Sequence, residues 1–161
     1  MMMVTQKELH EIFEYRDGQL IWKSPTSNRV SVGDVAGTPH PSGYLKICVN
    51  GKKYFAHRLI YLFHHGHMPM FLDHIDRNGL NNKIENLREA TLSQNSANTS
   101  IRSDNTSGYR GVSWDKKAKK WLAKITIFRK QKYLGYFSSP EAAYEVYCEA
   151  ARNHYGKFAN I

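Results

Sequence analysis

The sequence predicts an α+β chain in two parts, and three observations carry that reading. A polar, turn-rich stretch at residues 71–98 lies between short extended runs and a capped helix. An unpatterned polar run at 99–107 follows it and reads as a flexible linker. Beyond it stand three strand-like runs and one helix, at residues 108–161. The expected layout is therefore 1–98, a linker at 99–107, and a small three-stranded antiparallel sheet packed on one helix. With 161 residues the chain suits one ordinary domain or two small ones. Hydrophobic content of 41% suits packing rather than disorder.

The elements follow in order. Thr5 can cap a helix over residues 5–15, with Glu8 placed for a capping box and Leu9, Ile12 and Phe13 on one face. Asp17-Gly18 is a turn, and residues 19–23 a short strand. Residues 24–42, with three prolines and two glycines, read mainly as loop. Residues 43–55 read as a hairpin around Asn50-Gly51, the strongest short turn signal. Residues 57–65 read as a helix that Gly66 ends. Residues 71–75 form a short strand, 76–82 a turn around Asn78-Gly79, and a second extended piece ends near Leu87. Thr91 caps a polar helix to Asn98. In the second part, strands are expected at 109–114, 121–128 and 132–137. The middle one alternates, with Leu122, Lys124 and Thr126 on one face and Trp121, Ala123, Ile125 and Ile127 on the other. Ser138 or Ser139, with Pro140, opens a final helix running to about Asn153.

Charge narrows the partner. The net charge is +9, which favours an anionic partner. Residues 1–100 hold 11 Lys+Arg and 9 Asp+Glu, whereas 101–161 hold 12 and 5. A solvated face gives the same excess, so the pattern must decide. The two cysteines, Cys48 and Cys148, form no CxxC pair, which excludes a zinc ribbon. They are expected as reduced, buried thiols of a cytoplasmic protein. No apolar run has membrane-spanning length, and the N-terminus lacks the pattern of a secretory signal.

The chemistry concentrates in DHIDRNGLNNKIENLREATLSQN, residues 73–95. Cutting a phosphodiester needs a nucleophilic water, stabilisation of the crowded phosphorane charge, and help for the leaving oxygen. A neutral histidine, His74, can take the proton from water. One hard divalent cation with oxygen ligands can do the rest. Asp73 offers a carboxylate, and a helix opening near Thr91 could bring Asn95 across to it. Neighbouring strand residues face opposite ways, so Asp73 and His74 need a twisted strand end or bulge to share a site. Asp76, Asn82 and Asn98 are further oxygen-bearing candidates. His64, His65 and His67 lie at a helix end, where the dipole favours histidine, and no carboxylate or cysteine accompanies them in sequence. His57 and Arg58 could support the site, contact phosphate, or simply pack at a helix start.

This arrangement resembles the HNH nuclease family and its ββα-metal fold, over roughly residues 8–98. It is most similar to the phage-type branch in which asparagine replaces the last histidine. The resemblance gives His74 the role of general base. Asn86, in Glu85-Asn86-Leu87, orients the loop through hydrogen bonds. Asp73 and Asn95 are implied as ligands of one divalent cation. The neutral oxygen of Asn95 favours Mg²⁺ or Mn²⁺ over zinc.

The second part is strongly basic. Nine Lys/Arg and one acid, Asp115, lie between Arg110 and Lys132, interleaved with Trp114, Trp121 and Phe128. Such a sheet face can neutralise phosphates, and strands can enter the major groove, where base edges are distinguishable. Residues 106–158 resemble the plant APETALA/ethylene-response-factor (ERF) DNA-binding domain. The matches are Tyr109-Arg110-Gly111-Val112, Lys120-Trp121-Leu122-Ala123-Lys124-Ile125, Tyr133-Leu134-Gly135-Tyr136-Phe137, Pro140-Glu141-Ala142-Ala143, Tyr147 and Ala150-Ala151. The resemblance puts Arg110, Ser113, Lys124, Thr126, Gln131, Tyr133 and Tyr136 at DNA-contact positions, with Arg58 a phosphate candidate from the first part. Ser113, Thr126 and Gln131 replace family arginines, so the plant base preference does not carry over. Trp121 is expected to pack rather than read bases.

The sequence thus implies a freestanding phage-type homing endonuclease acting on double-stranded DNA, without a membrane. One catalytic site cuts one strand, so a double break needs a homodimer or two events. The rivals are a non-catalytic DNA-binding regulator with a decayed nuclease domain, and an RNA nuclease. A-form RNA has a major groove too narrow to read, which favours DNA.

Overall fold

Thr5 opens the first helix, α1 (Gln6–Ile12), through the expected capping box: its hydroxyl accepts from Glu8 N–H, and Glu8 Oε2 accepts from Thr5 N–H at 2.7 Å. In this computed structural model, residues 4–101, 103–128 and 130–161 are described. Contacts divide the chain into two units, residues 1–89 and 90–161.

In the first unit, α1 stops at Ile12, three residues before the expected end. Phe13–Arg16 forms β1 and pairs antiparallel with β2 (Gln19–Trp22) around Asp17-Gly18. The β-hairpin wins because Phe13 and Trp22, cross-strand partners, pack their rings together in a tilted pair with centroids 4.4 Å apart. The expected loop at 24–42 contains a strand, β3 (Thr38–His40), and Val35 bridges to Ile21. Pro39 is tolerated there because β3 is an edge strand. β4 (Tyr44–Val49) and β5 (Lys52–Phe55) form the expected hairpin, giving a sheet of order β3-β4-β5. Asn50 and Gly51 both take positive φ, as their turn requires.

Helix α2 (Ala56–His65) buries Ala56, Leu59, Ile60 and Leu62 and ends at Gly66 in the left-handed conformation. It packs against α1 and the β4–β5 hairpin. The core gathers Leu9, Phe13, Leu20, Ile47, Val49, Leu59 and Ile60, all nearly inaccessible. Each such side chain contributes roughly 1.5–3 kcal/mol by leaving water. Cys48 does not belong to this core: it is exposed on β4, because its neighbours Ile47 and Val49 take the buried face. The expectation of two buried thiols holds only for Cys148.

β6 (Leu72–His74) pairs antiparallel with β7 (Leu87–Glu89), which begins at Leu87 rather than ending there. A short 3₁₀ turn, Ile84–Asn86, leads into β7. The loop between them is held on two sides. A Cβ on Gly79 would come within 2.6 Å of the Gly43 carbonyl, and one on Gly18 within 2.8 Å of Lys83 N. Tyr15 Oη accepts from Ile84 N–H at 3.1 Å, and Lys83 pairs with Asp17 at 2.8 Å.

The second unit begins with α3 (Leu92–Ala97), capped by Thr91 with Gln94 completing a capping box. Its sheet has the order β10-β9-β8, from β8 (Val112–Asp115), β9 (Lys120–Ile127) and β10 (Lys130–Phe137). β8 starts later than expected because residues 109–111 form a turn, in which Gly111 has φ 72° and touches Tyr147. Helix α4 (Pro140–Tyr155) starts at Ser139, with Pro140 in its first turn, and packs on the sheet. Ala123 and Ile125 face α4 and join Ala143, Tyr147 and Ala151 in the core. The described residues of 99–107 form no helix or strand, but hydrogen bonds anchor the end of the stretch. Ser107 Oγ donates toward Val112 O at 2.8 Å, and Asn105 Oδ1 accepts from Gly108 N–H at 2.8 Å. No helix among the described residues is long and apolar enough to cross a membrane.

Candidate functional site

Asp73 and Arg88 sit directly opposite each other in the β6–β7 register. All three residues of β6 are buried. Burying a carboxylate is costly unless it is paired. Arg88 supplies that pairing, with Nε and Nη2 each 2.8 Å from Asp73 Oδ2. Arg88 is itself largely enclosed, its side chain 12% exposed.

His74, the next residue, is also buried, and its Nε2 lies 3.0 Å from Asn82 Oδ1. The His57 ring meets it edge-on at 5.0 Å, and Tyr44 lies at 5.7 Å. His57 stacks in turn on Phe55 at 5.6 Å. Burial first, then the nearby His74 and Arg58, push the His57 pKa down to about 3, so that ring is neutral. Its Nδ1 is enclosed without a hydrogen-bond partner among the described residues.

Asn86 ties the loop together. Its Oδ1 accepts from Asp76 N–H at 3.0 Å, and its Nδ2 donates to Asp76 Oδ1 at 2.9 Å and to Asn81 O at 2.7 Å. Asp76 also accepts from Asn78 N–H and Asn81 Nδ2. Burial pushes the Asp76 carboxyl up, but these hydrogen bonds and nearby His74 outweigh it and hold its pKa below the usual range. Asp76 therefore works inside the loop.

Asp73, His74 and Asn86 all lie in the first unit; the β6–β7 register has no bulge, so Asp73, opposite Arg88, and His74, opposite Leu87, alternate in direction along β6. Asn95 is half-buried on α3, in the second unit. Arg58 donates to the carbonyls of Pro69 at 2.7 Å and Met70 at 3.4 Å, fixing the approach to β6. His67 pairs with Glu89 at 2.5 Å, and Tyr61 Oη donates to the same carboxylate at 3.0 Å. That hydrogen bond to Glu89 raises the His67 pKa. Among the described residues, no three His, Cys, Asp or Glu side chains are placed to share a metal. Asp73 offers a carboxylate oxygen, the ligand type that a hard cation takes. A carboxylate has about four lone-pair sites, so Asp73 can serve Arg88 and a further partner.

Asn82 is the residue that sequence reasoning underrated. In the sequence it stands as a further oxygen-bearing candidate, among polar neighbours that signal a turn. Its 1% exposure and its contact with His74 exist only in the fold.

In the second unit, the open sheet face collects most of the expected contact positions. Cross-strand partners share a face. Ser113, Leu122 and Tyr136 are partnered, as are Lys124 with Tyr133 and Thr126 with Gln131. Tyr133 and Tyr136 are well exposed. Tyr136 Oη donates to Asp115, whose other oxygen caps the β8–β9 turn at Lys117 and Ala118. Trp121 is half-buried and meets Trp114 edge-on at 5.2 Å, the packing role expected of it. Arg110 lines the same clefts as Ser113, Lys124 and Thr126, but its guanidinium is engaged. Its guanidinium donates to the Thr99 carbonyl, which also accepts from Asn160 Nδ2.

Comparison with known proteins concerns mainly the first of these regions. Residues 54–97 match a family model described as HNH endonuclease. That segment holds Arg58, Asp73, His74, Asn86 and Asn95. Protein 3.8 of Escherichia phage T7 is 43% identical over 61 residues, 38% of this chain and 50% of that protein. An uncharacterized HNH endonuclease of Acanthamoeba polyphaga mimivirus is 39% identical over 106 residues, 64% of this chain and 54% of that protein. The chain therefore spans about half the length of these curated relatives. No solved structure matches it.

Proposed function

We propose that this chain, which carries an HNH endonuclease segment at residues 54–97, is a metal-dependent DNA endonuclease of the homing type. The observation that carries this reading is the buried Asp73–His74 pair beside a loop that Asn86 stitches shut. His74 removes a proton from the attacking water. Its Nε2 is occupied by Asn82 Oδ1, so in the neutral ring Nδ1 carries the lone pair that accepts that proton. Asn86 keeps the loop closed, so His74 meets its water at fixed geometry. His57, Tyr44 and Asn82 hold the imidazole plane. Asp73 and Asn95 would hold one Mg²⁺ or Mn²⁺. When bound, that ion supplies charge stabilisation at the scissile phosphate and the leaving 3′ oxygen. The open sheet face of Ser113, Lys124, Thr126, Gln131, Tyr133 and Tyr136 reads or grips double-stranded DNA, as the ERF resemblance implies.

The experiment is incubation of purified protein with supercoiled plasmid in Mg²⁺, Mn²⁺ or EDTA, beside His74→Ala. Metal-dependent nicking lost in the variant, with DNA binding retained, supports the reading. Equal loss of cleavage and binding sinks the role of His74. One observation favours a non-catalytic DNA-binding regulator instead: Arg88 neutralises the very carboxylate that a metal would need. Binding without cleavage on host and phage genomic DNA would establish that second reading.

A further inference from the structure

The net charge of the first hundred residues conceals a segregated pattern. From residue 35 to residue 72 there is no Asp or Glu, against Lys46, Lys52, Lys53, Arg58 and five histidines. This acid-free stretch folds into the β3–β4–β5 sheet and α2. The register then sorts its side chains. Thr38 partners Lys46, which partners Phe55; His40 partners Tyr44; Cys48 partners Lys53. Cross-strand partners share a face. The face away from the core therefore carries Thr38, His40, Tyr44, Lys46, Cys48, Lys53 and Phe55. The opposite face sends Ile47 and Val49 into the core.

This outward face runs into the candidate catalytic site without a break. Lys46 Nζ lies 3.1 Å from His40 Nε2 and 5.0 Å from the centre of the Phe55 ring. Phe55 stacks on His57, and His57 meets His74. Tyr44 touches Phe55, His57 and His74 by ring contacts at 5.6, 5.1 and 5.7 Å. A cationic, acid-free strip with aromatic side chains and a tyrosine hydroxyl is complementary to a run of phosphodiesters. Tyr44 to Cys48 covers about 13 Å along β4, on the order of four base-pair steps of duplex.

We propose that the outward face of the β3–β4–β5 sheet is a second contact surface for duplex DNA, gripping the backbone phosphates next to the one His74 attends. Lys46 and Lys53 supply the charge, and Tyr44 a hydrogen bond nearest the cut. The nuclease reading is needed only to say which phosphate is cut. The surface would bind DNA whether or not cleavage follows.

Cys48 provides a native reporter, because it is exposed on this face while Cys148 is buried. The experiment measures the alkylation rate of Cys48 in the full chain by iodoacetamide, in EDTA, with and without a mixed-sequence DNA duplex. Anisotropy confirms that the duplex is bound. Bound DNA is expected to slow Cys48 alkylation several-fold. Lys46→Gln with Lys53→Gln removes that protection and lowers the salt slope of binding by about 1.8. Thr38→Glu, a single exposed change on the same face, weakens binding by a second route. Alkylation at the free rate while DNA is bound overturns the proposal, as does an unchanged salt slope in the double variant. Equal protection by polyglutamate, or protection by duplex RNA and not DNA, overturns the choice of partner. Protection without any plasmid cleavage would count against the nuclease reading and leave this surface standing.

Discussion

His74 Nε2 lies 3.0 Å from Asn82 Oδ1, inside a loop where Asn82 is 1% exposed. The amide oxygen can only accept, so it holds the proton of a neutral His74 on Nε2. Nitrogen NMR of labelled histidine should show that tautomer for His74. Asn82→Asp keeps an acceptor and should keep the tautomer. Asn82→Leu should release it and reduce kcat more than it changes KM. A wild-type His74 protonated on Nδ1 would refute the arrangement without any activity measurement.

Arg88 and Asp73 form a buried cross-strand ion pair. Removing one partner of such a pair strands the other charge. Arg88→Met should therefore lower unfolding free energy by about 3–5 kcal/mol in chemical denaturation. Adding Asp73→Leu should recover much of that loss while leaving DNA uncut. A stable Arg88→Met protein would show that the pair carries little weight.

His57 links stability to pH. Its pKa falls from the ordinary histidine value of 6.5 to about 3 in the fold, through burial first, then His74 and Arg58. The unfolded chain therefore binds the proton more readily between those values. The contribution is complete above about pH 6.5 and is lost as pH falls toward about 3. Melting temperature should drop on acidification from neutral pH, and His57→Gln should flatten that drop. Parallel curves for the two proteins would count against this origin.

Gly111 has φ 72°, and a Cβ there would fall 2.2 Å from the Tyr147 ring and 2.6 Å from the Lys124 carbonyl. Gly111→Ala should destabilise the second unit by on the order of 3 kcal/mol, from strain and overpacking together. Differential scanning calorimetry would register it. An unaffected melting temperature would mean that the turn at 109–111 can re-form elsewhere.

Local chemistry was legible in the sequence. Thr5, Thr91 and Ser139 cap helices because each side chain meets an N–H only three residues on. Asn50-Gly51 makes its turn because both residues tolerate positive φ. Alternation along β9 correctly separated Ala123 and Ile125 from Lys124 and Thr126, since a strand has a fixed period of two. The spacing of Asp73, His74 and Asn86 likewise marked the segment that matches the HNH endonuclease model. Tertiary structure decided what depends on partners distant in sequence. Phe13–Arg16 became a strand, against the helical pattern, because Phe13 packs against its cross-strand partner Trp22. Arg58 turned to the carbonyls of Pro69 and Met70, and Arg110 to that of Thr99, partners that only the folded chain brings within reach. Asn82 reached His74, and Arg88 reached Asp73, only once the loop and the β6–β7 register had formed. A residue's type sets what bonds it can make, and the fold chooses which of them it does make.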